Sequence, residues 1–184
     1  MKLDPIELTT KSGLVVTFRS PSLEEARLCI DYLRQVCAET PYLSSEPEEI
    51  AFTDEQERAY IAYHQQDPLS LNVNVYADGC LAGNASIKPP RDCMRMRHRA
   101  VLGIALYEAY CGMGIGEMLI SFLIDKAREA GYETMELQVH AANTRAIRLY
   151  QKLGFTEWGR MKKSVKFRDG TYDDELFMQL DLTK

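Results

Sequence analysis

The sequence predicts an α/β fold with its elements in the order β-α-α-β-β-β-α-β-α-β-β. Three observations predict it. Short β-rich runs alternate in polarity or flank turn dipeptides, as at Leu71–Tyr76 and Cys80–Lys88 around Asp78-Gly79. Longer segments carry apolar residues at helical spacing, as at Ile115, Met118, Leu119, Phe122, Leu123 and Ala127. Between the two kinds of pattern, an apolar strand over Arg99–Tyr107 runs into Gly112, Gly114 and Gly116 and then directly into that helix.

Taken in order, Leu14–Arg19 is β-rich and forms the first expected strand. Ser22 and Glu25 have capping-box spacing ahead of Ala26, Cys29, Ile30, Leu33, Val36 and Cys37, and Pro41 stops that helix near Thr40. Tyr42–Ala51 is a loop holding Glu46, Glu48 and Glu49. Thr53 and Gln56 repeat the capping-box spacing and open a second helix, stopped by Pro68. After the Asp78-Gly79 hairpin, Pro89-Pro90 breaks the strand and Arg91–Arg99 forms the one basic cluster. Gly131 sits where a helix C-cap glycine belongs. Thr134–His140 alternates, with Met135, Leu137 and Val139 on one face. Asn143 is a good N-cap for a helix carrying Ala146, Leu149, Tyr150 and Leu153, which Gly154 closes. Lys162–Phe167 and Thr171–Leu182 flank Asp169-Gly170 and make a last hairpin. Residues 1–184 are expected to form a single domain.

Composition narrows the function classes. No apolar run approaches the ~20 residues of a membrane span, and Met1–Glu7 lacks a signal core, so a cytoplasmic location is the default. Five cysteines, none in a C-x-x-C pair, argue for reduced thiols rather than a disulfide framework or zinc site. The three histidines have no metal spacing, so no metal is expected. A net charge of −5 disfavours general nucleic-acid affinity, although Arg91–Arg99 is a candidate contact for an acidic partner such as RNA.

The glycine loop is the feature that carries chemistry. Glycines let a ligand approach the backbone, and the first N–H groups of a helix lack internal partners at the positive end of its dipole. A loop of this kind feeding a helix is an anion site, phosphate above all. The G-x-G-x-G spacing lacks the dinucleotide fingerprint G-x-G-x-x-G, and Glu117 after Gly116 departs from the Gly-Lys-Ser/Thr of nucleotide hydrolases.

The loop resembles the signature Arg/Gln-x-x-Gly-x-Gly/Ala of the GNAT acetyltransferase superfamily, with Gly114 and Gly116 at the two small positions and Cys111 at the Arg/Gln position, a departure. Asn143 and Leu149-Tyr-Gln-Lys-Leu-Gly-Phe155 resemble that family's other recurrent segment. The resemblance implies the GNAT fold, a mixed and mostly antiparallel sheet of about seven strands with helices on both faces. It implies an acetyl-coenzyme A-dependent N-acetyltransferase acting by direct attack of a primary amine on the thioester; the alternative is a non-catalytic coenzyme A-binding sensor or partner-binding domain on the same fold. It assigns the pyrophosphate to the backbone of Cys111, Gly112, Met113, Gly114, Ile115 and Gly116, the pantetheine amides to Ile104 and Leu106, and a further cofactor contact to Asn143. Tyr150 becomes the general acid towards the leaving thiolate. The two early helices and their loop shape the acceptor pocket. Dimerisation is common in the family, and the last hairpin is a candidate interface.

The acceptor is then a small-molecule or peptide amine. A lysine-like ammonium is short of its reactive form at neutral pH by about 4–5 kcal/mol, which a base, a water chain or a dry pocket must supply. The candidates are Glu46, Glu48, Glu49, Glu108, Glu136, His98 and His140. A thiol in the Cys111 position faces a bound diphosphate of like charge to its thiolate, so it is expected to stay neutral and take no nucleophilic part. Without the usual Arg/Gln, cofactor binding is expected to be modestly weakened.

Overall fold

The computed structural model describes residues 1–184. Its elements are β1 (Ile6–Thr9), β2 (Val15–Arg19), α1 (Ala26–Glu39), α2 (Asp54–Gln66), β3 (Leu71–Ala77), β4 (Cys80–Lys88), β5 (Arg99–Leu106), α3 (Ile115–Glu129), β6 (Thr134–His140), α4 (Thr144–Lys152), β7 (Thr156–Lys166) and β8 (Tyr172–Asp181). The sheet has eight strands in the order β1-β2-β3-β4-β5-β6-β8-β7. Pairing is antiparallel from β1 to β4 and among β6, β8 and β7; β5 and β6 are parallel.

Two departures from the sequence reading share a cause. The extra strand is β1, four residues alternately half-buried and exposed, paired with β2 from Ile6↔Phe18 to Thr9↔Val15. Strand β7 begins at Thr156, well before Lys162, and is exposed over most of its length. Both lie at sheet edges, where one side needs no partner and the polarity pattern is weak.

The chain gathers into two compact units, Met1–Lys88 with Gly103–Leu123, and Pro89–Leu102 with Ile124–Lys184. The first holds the β1–β4 meander, whose Val16, Phe18, Val73, Val75 and Ile87 are fully buried with Ile30 of α1 and Ile61 of α2. Phe18 meets Phe122 edge-on at 5.7 Å between ring centroids. Asp78 (φ 50°) and Gly79 (φ 76°) are both left-handed, as a two-residue hairpin turn requires. Both capping boxes form: Glu25 takes the Ser22 N–H at 2.8 Å, and Thr53 and Gln56 exchange bonds ahead of α2. Glu25 also receives the Arg19 guanidinium and the Tyr76 hydroxyl, which tie β2, β3 and the start of α1 together.

In the second unit β6 lies against β8 in continuous register from Thr134↔Asp181 to His140↔Glu175. Met135, Leu137 and Val139 are buried, with Phe155 and Met178. Asn143 caps α4 by accepting the Ala146 N–H at 3.2 Å. Gly131 (φ 83°) ends α3 in the left-handed conformation expected of a C-cap glycine.

Candidate active site

Strand β5 ends at Leu106 and the chain makes one short 3-10 turn over Glu108–Tyr110 before the glycines. Gly112 (φ 80°) and Gly114 (φ 86°) are left-handed, a conformation that side chains rarely adopt. The turn they make aims the loop at the first residue of α3, Ile115, which is fully buried and fixes the helix in place. The backbone N–H groups of Gly112, Met113, Gly114, Ile115 and Gly116 have no acceptor within the chain. Five unpaired donors at the positive end of a fifteen-residue helix make an anion cradle built wholly from main chain. The β1–β2 turn supports its outer side: the Ser12 hydroxyl donates to the Met113 carbonyl at 3.4 Å, and Lys11 pairs with Glu117 at 3.1 Å.

Upstream, β5 offers a second set of main-chain groups. Tyr107 donates its N–H to the Ala82 carbonyl, and the Ala105 carbonyl also points to the β4 side. Since successive residues of a strand face opposite edges, the N–H and C=O groups of Ile104 and Leu106 point the other way. The parallel register with β6 covers only Arg99, Ala100 and Val101. The β4 side of β5 is held tightly. A Cβ on Gly83 would lie 2.1 Å from Leu106 Cδ2 and 3.0 Å from the Ala105 oxygen, so any larger residue would displace Leu106 and crowd the β5 backbone. One residue further along β4, the Tyr32 hydroxyl from α1 donates to the Ala105 carbonyl at 2.7 Å and accepts the Asn84 N–H at 3.1 Å. Tyr32 is 4% exposed, and burial pushes its phenol well above the usual value, so this bridge stays neutral.

That hydroxyl is also part of a cavity of about 540 Å³ lined by residues of α1, α2, β3 and β4, with Phe52 from the loop before α2. Its polar floor is a set of asparagines. Asn84 Nδ2 donates to Asn72 Oδ1 and to Asn74 Oδ1, each at 2.7 Å, and Asn74 donates in turn to the Tyr76 hydroxyl. Leu33, Phe52 and Tyr60 supply apolar walls. Cys29 lies at 3.6 Å from Asn74 Nδ2; burial pushes its thiol up to about 11, so it is unreactive near neutral pH. Glu57 is the one charged residue of the lining, and burial raises its carboxyl above the ordinary value.

The remaining sequence-predicted residues lie in the second unit or at the surface. Tyr150 on α4 is 8% exposed and packs edge-on against Phe155 at 5.9 Å; its carbonyl accepts the Leu153 and Phe155 N–H groups, while its hydroxyl has no hydrogen-bond partner within the chain. Burial pushes its phenol up to about 12. Asn143 is occupied as the α4 N-cap through its side-chain oxygen. Among the candidate bases, Glu136 is held by Arg99 at 2.6 Å, and His140 is buried beside Asp173 at 3.5 Å. Glu46, Glu48, Glu49, Glu108 and His98 are exposed; Glu49 serves as a local cap for the Glu46 N–H. Cys111 is half-buried and free of disulfide, and its N–H donates to the Glu108 carbonyl at 3.0 Å. No group of three or more His, Cys, Asp or Glu side chains is arranged to hold a metal, and no helix is long and apolar enough to cross a membrane.

Comparison with known proteins bears on this geometry. Residues 33–155 match the acetyltransferase (GNAT) family. This chain belongs to that family. Its likeness to solved GNAT structures extends over nearly the whole chain. The yncA protein of Salmonella typhimurium, determined with its cofactor acetyl-CoA, superposes with a TM-score of 0.80 at 25% identity, covering 92% of this chain and 95% of that one. A GNAT acetyltransferase of Streptococcus pneumoniae gives a TM-score of 0.86 at 24% identity over 90% of this chain and 99% of that one, which shows the shared fold. In sequence, an L-methionine sulfoximine/L-methionine sulfone acetyltransferase of Salmonella typhimurium is 36% identical over 106 residues, 57% of this chain and 61% of that protein. The L-amino acid N-acyltransferase MnaT of Escherichia coli is 32% identical over 105 residues, again 57% of this chain and 60% of that protein. The matched stretch thus spans about three fifths of each of these relatives.

Glu57 is the site residue that sequence reasoning on this GNAT chain missed. Gln56 and Tyr60 flank it on α2, and the only signal was a carboxylate one helical turn before an aromatic residue, which many solvated helices share. The acidic loop residues drew attention instead because they cluster in sequence, yet none of them lines the cavity.

Proposed function

We propose that this protein is an acetyl-CoA-dependent N-acetyltransferase that moves an acetyl group to a primary amine by direct attack. The observation that carries the reading is the run of five unpaired N–H groups from Gly112 to Gly116 at the start of α3, close in sequence to the open edge of β5. A diphosphate suits such a cradle, since every donor is fixed before the ligand arrives and little ordering entropy remains to be lost. Ile104 and Leu106 turn their amide groups to the edge of β5 away from β4, where they fit the amides of the pantetheine arm as a neighbouring strand would. That yncA was determined with acetyl-CoA supports the choice of cofactor. Relatives that acetylate methionine sulfoximine, or L-amino acids, support an amine acceptor.

In this reading a main-chain N–H of β5 polarises the thioester oxygen as negative charge develops there. The neutral amine attacks the carbonyl carbon, the new C–N bond forms and the C–S bond breaks. Nitrogen loses a proton and sulfur gains one, with Tyr150 as the acid towards sulfur. With its phenol near 12 against about 8.5 for a thiol, full transfer from Tyr150 would be uphill by about 5 kcal/mol. The proton therefore moves as the C–S bond breaks, with Tyr150 re-protonated from the nitrogen side, rather than in a separate step.

The test is calorimetric titration with acetyl-CoA, followed by thiol release and product mass with a broad panel of amines. Binding in the micromolar range with acetylated product is the expected result. Tight binding with no thiol release for any amine would replace the transferase by a coenzyme A-binding sensor on the same fold.

A further inference from the structure

The walls of the 540 Å³ cavity carry a chemical preference of their own. Its lining holds one carboxylate, neutral amides, phenols and apolar side chains, and no Lys, Arg or His. Nearby cations are already engaged, two of them by carboxylates and Lys88 by the Tyr60 ring that itself lines the cavity. Arg19 is bound by Glu25 and stacked on Tyr76 at 4.2 Å; Arg27 pairs with Asp54 at 2.5 Å; Lys88 lies over the ring of Tyr60, 5.9 Å from its centre. The Glu57 carboxylate, by contrast, has no hydrogen bond or ion pair within the chain although it is half-buried. An unpaired carboxylate in a pocket costs stability unless a ligand completes it. The asparagine floor is nearly satisfied by its own bonds and leaves Asn72 Nδ2 as a neutral donor without a protein partner.

Resting on the transferase reading above, we infer that this cavity is the acceptor site and that it takes cationic primary amines without a carboxylate, the ammonium facing Glu57 and the stem packed on Leu33, Phe52 and Tyr60. The cavity is joined to the proposed cofactor strand by Tyr32 and Asn84, which line it and bond to each other and, through Tyr32, to Ala105. A free α-amino acid brings a carboxylate that meets Glu57 as a like charge and finds no cation in the lining. Its desolvation is uncompensated, and the site discriminates by what it lacks as much as by what it offers.

The experiment uses the whole chain with saturating acetyl-CoA and matched acceptors: phenethylamine against phenylalanine, and 3-(methylthio)propylamine against methionine. The amines should show kcat/KM at least about tenfold above the amino acids, and phenylalaninamide, which keeps the α-substituent without its charge, should approach phenethylamine. Glu57→Gln should raise KM for phenethylamine about tenfold or more while the Kd for acetyl-CoA stays within about twofold and the variant melts no lower than the parent. Phe52→Arg, which sets a cation at the exposed rim, should move preference towards the carboxylated members. Equal or better turnover of the amino acids, or an unchanged KM in Glu57→Gln, would overturn the inference alone. Bound acetyl-CoA with no amine acetylated would end the transferase reading, and this inference with it.

Discussion

The glycine loop and the asparagine-floored cavity lie in the same compact unit and are built in opposite ways. The loop is made of main chain: five N–H groups, two left-handed glycines and a helix end. The cavity is made of side chains drawn from two helices, two strands and a loop, with a relay of hydrogen bonds from Asn84 through Asn74 and Tyr76 to Glu25 and Arg19. A main-chain site tolerates substitution at most positions, because any residue with the right φ and ψ supplies the same donor. A side-chain site changes its ligand with each substitution. One fold can thus keep its acyl donor while changing its acceptor.

Four substitutions break or sharpen that contrast. The largest effect is expected outside both regions. Tyr150→Phe should lower kcat by about 10²–10³-fold and leave acetyl-CoA affinity unchanged, as loss of a general acid does. Full turnover in stopped-flow or steady-state thiol assays would remove Tyr150 from the mechanism. In the loop, Gly114→Val forces a β-branched residue to φ 86°, a strain of roughly 1–3 kcal/mol, so calorimetry should show acetyl-CoA binding weakened about tenfold or more. Retained affinity would mean that main-chain geometry there matters little.

On the cavity side, Glu25 is held down to about 2 chiefly by the Arg19 guanidinium, with help from the Ser22 N–H and the Tyr76 hydroxyl. A depressed carboxyl stabilises the fold above its unfolded pKa and loses that contribution as pH falls through the folded one. With the pair only 19–27% exposed, the contribution near neutral pH is of the order of 2–3 kcal/mol. Glu25→Gln should therefore lower the denaturation midpoint at pH 7 by that amount, and the gap should narrow as pH drops from about 4.5 towards 2. A pH-independent gap would place the effect in packing. The smallest change is expected from Cys111→Arg, which restores the usual cation beside the loop and should tighten acetyl-CoA binding only a few-fold, roughly 0.5–1 kcal/mol by titration. An unchanged Kd would show that the main chain alone holds the diphosphate.

How much of this was legible in the sequence follows the same division. Both capping boxes, the Asn143 cap, the Asp78-Gly79 hairpin and the glycine loop are local: each depends on residues within a few positions of one another, so their spacing carries them. Strand β1 and the first half of β7 were missed because edge strands need less of a pattern. Leu71–Tyr76 was legible as a strand beside the Asp78-Gly79 turn, but its Asn72 and Asn74 would ordinarily face water; here they form, with Asn84, the floor of a cavity under α1 and α2.

By itself, then, the chain's order of residues determined its element types, its family resemblance and the loop that suits a diphosphate, since these arise from backbone preferences and short-range spacing. Only the tertiary structure decided that Glu57 rather than the acidic loop faces the cavity, and that Tyr32 joins that cavity to β5. It also showed that Tyr150 is buried with no protein partner for its hydroxyl. Burial and convergence are properties of residues far apart along the chain, and a charge acquires its chemistry only from what surrounds it once those residues meet.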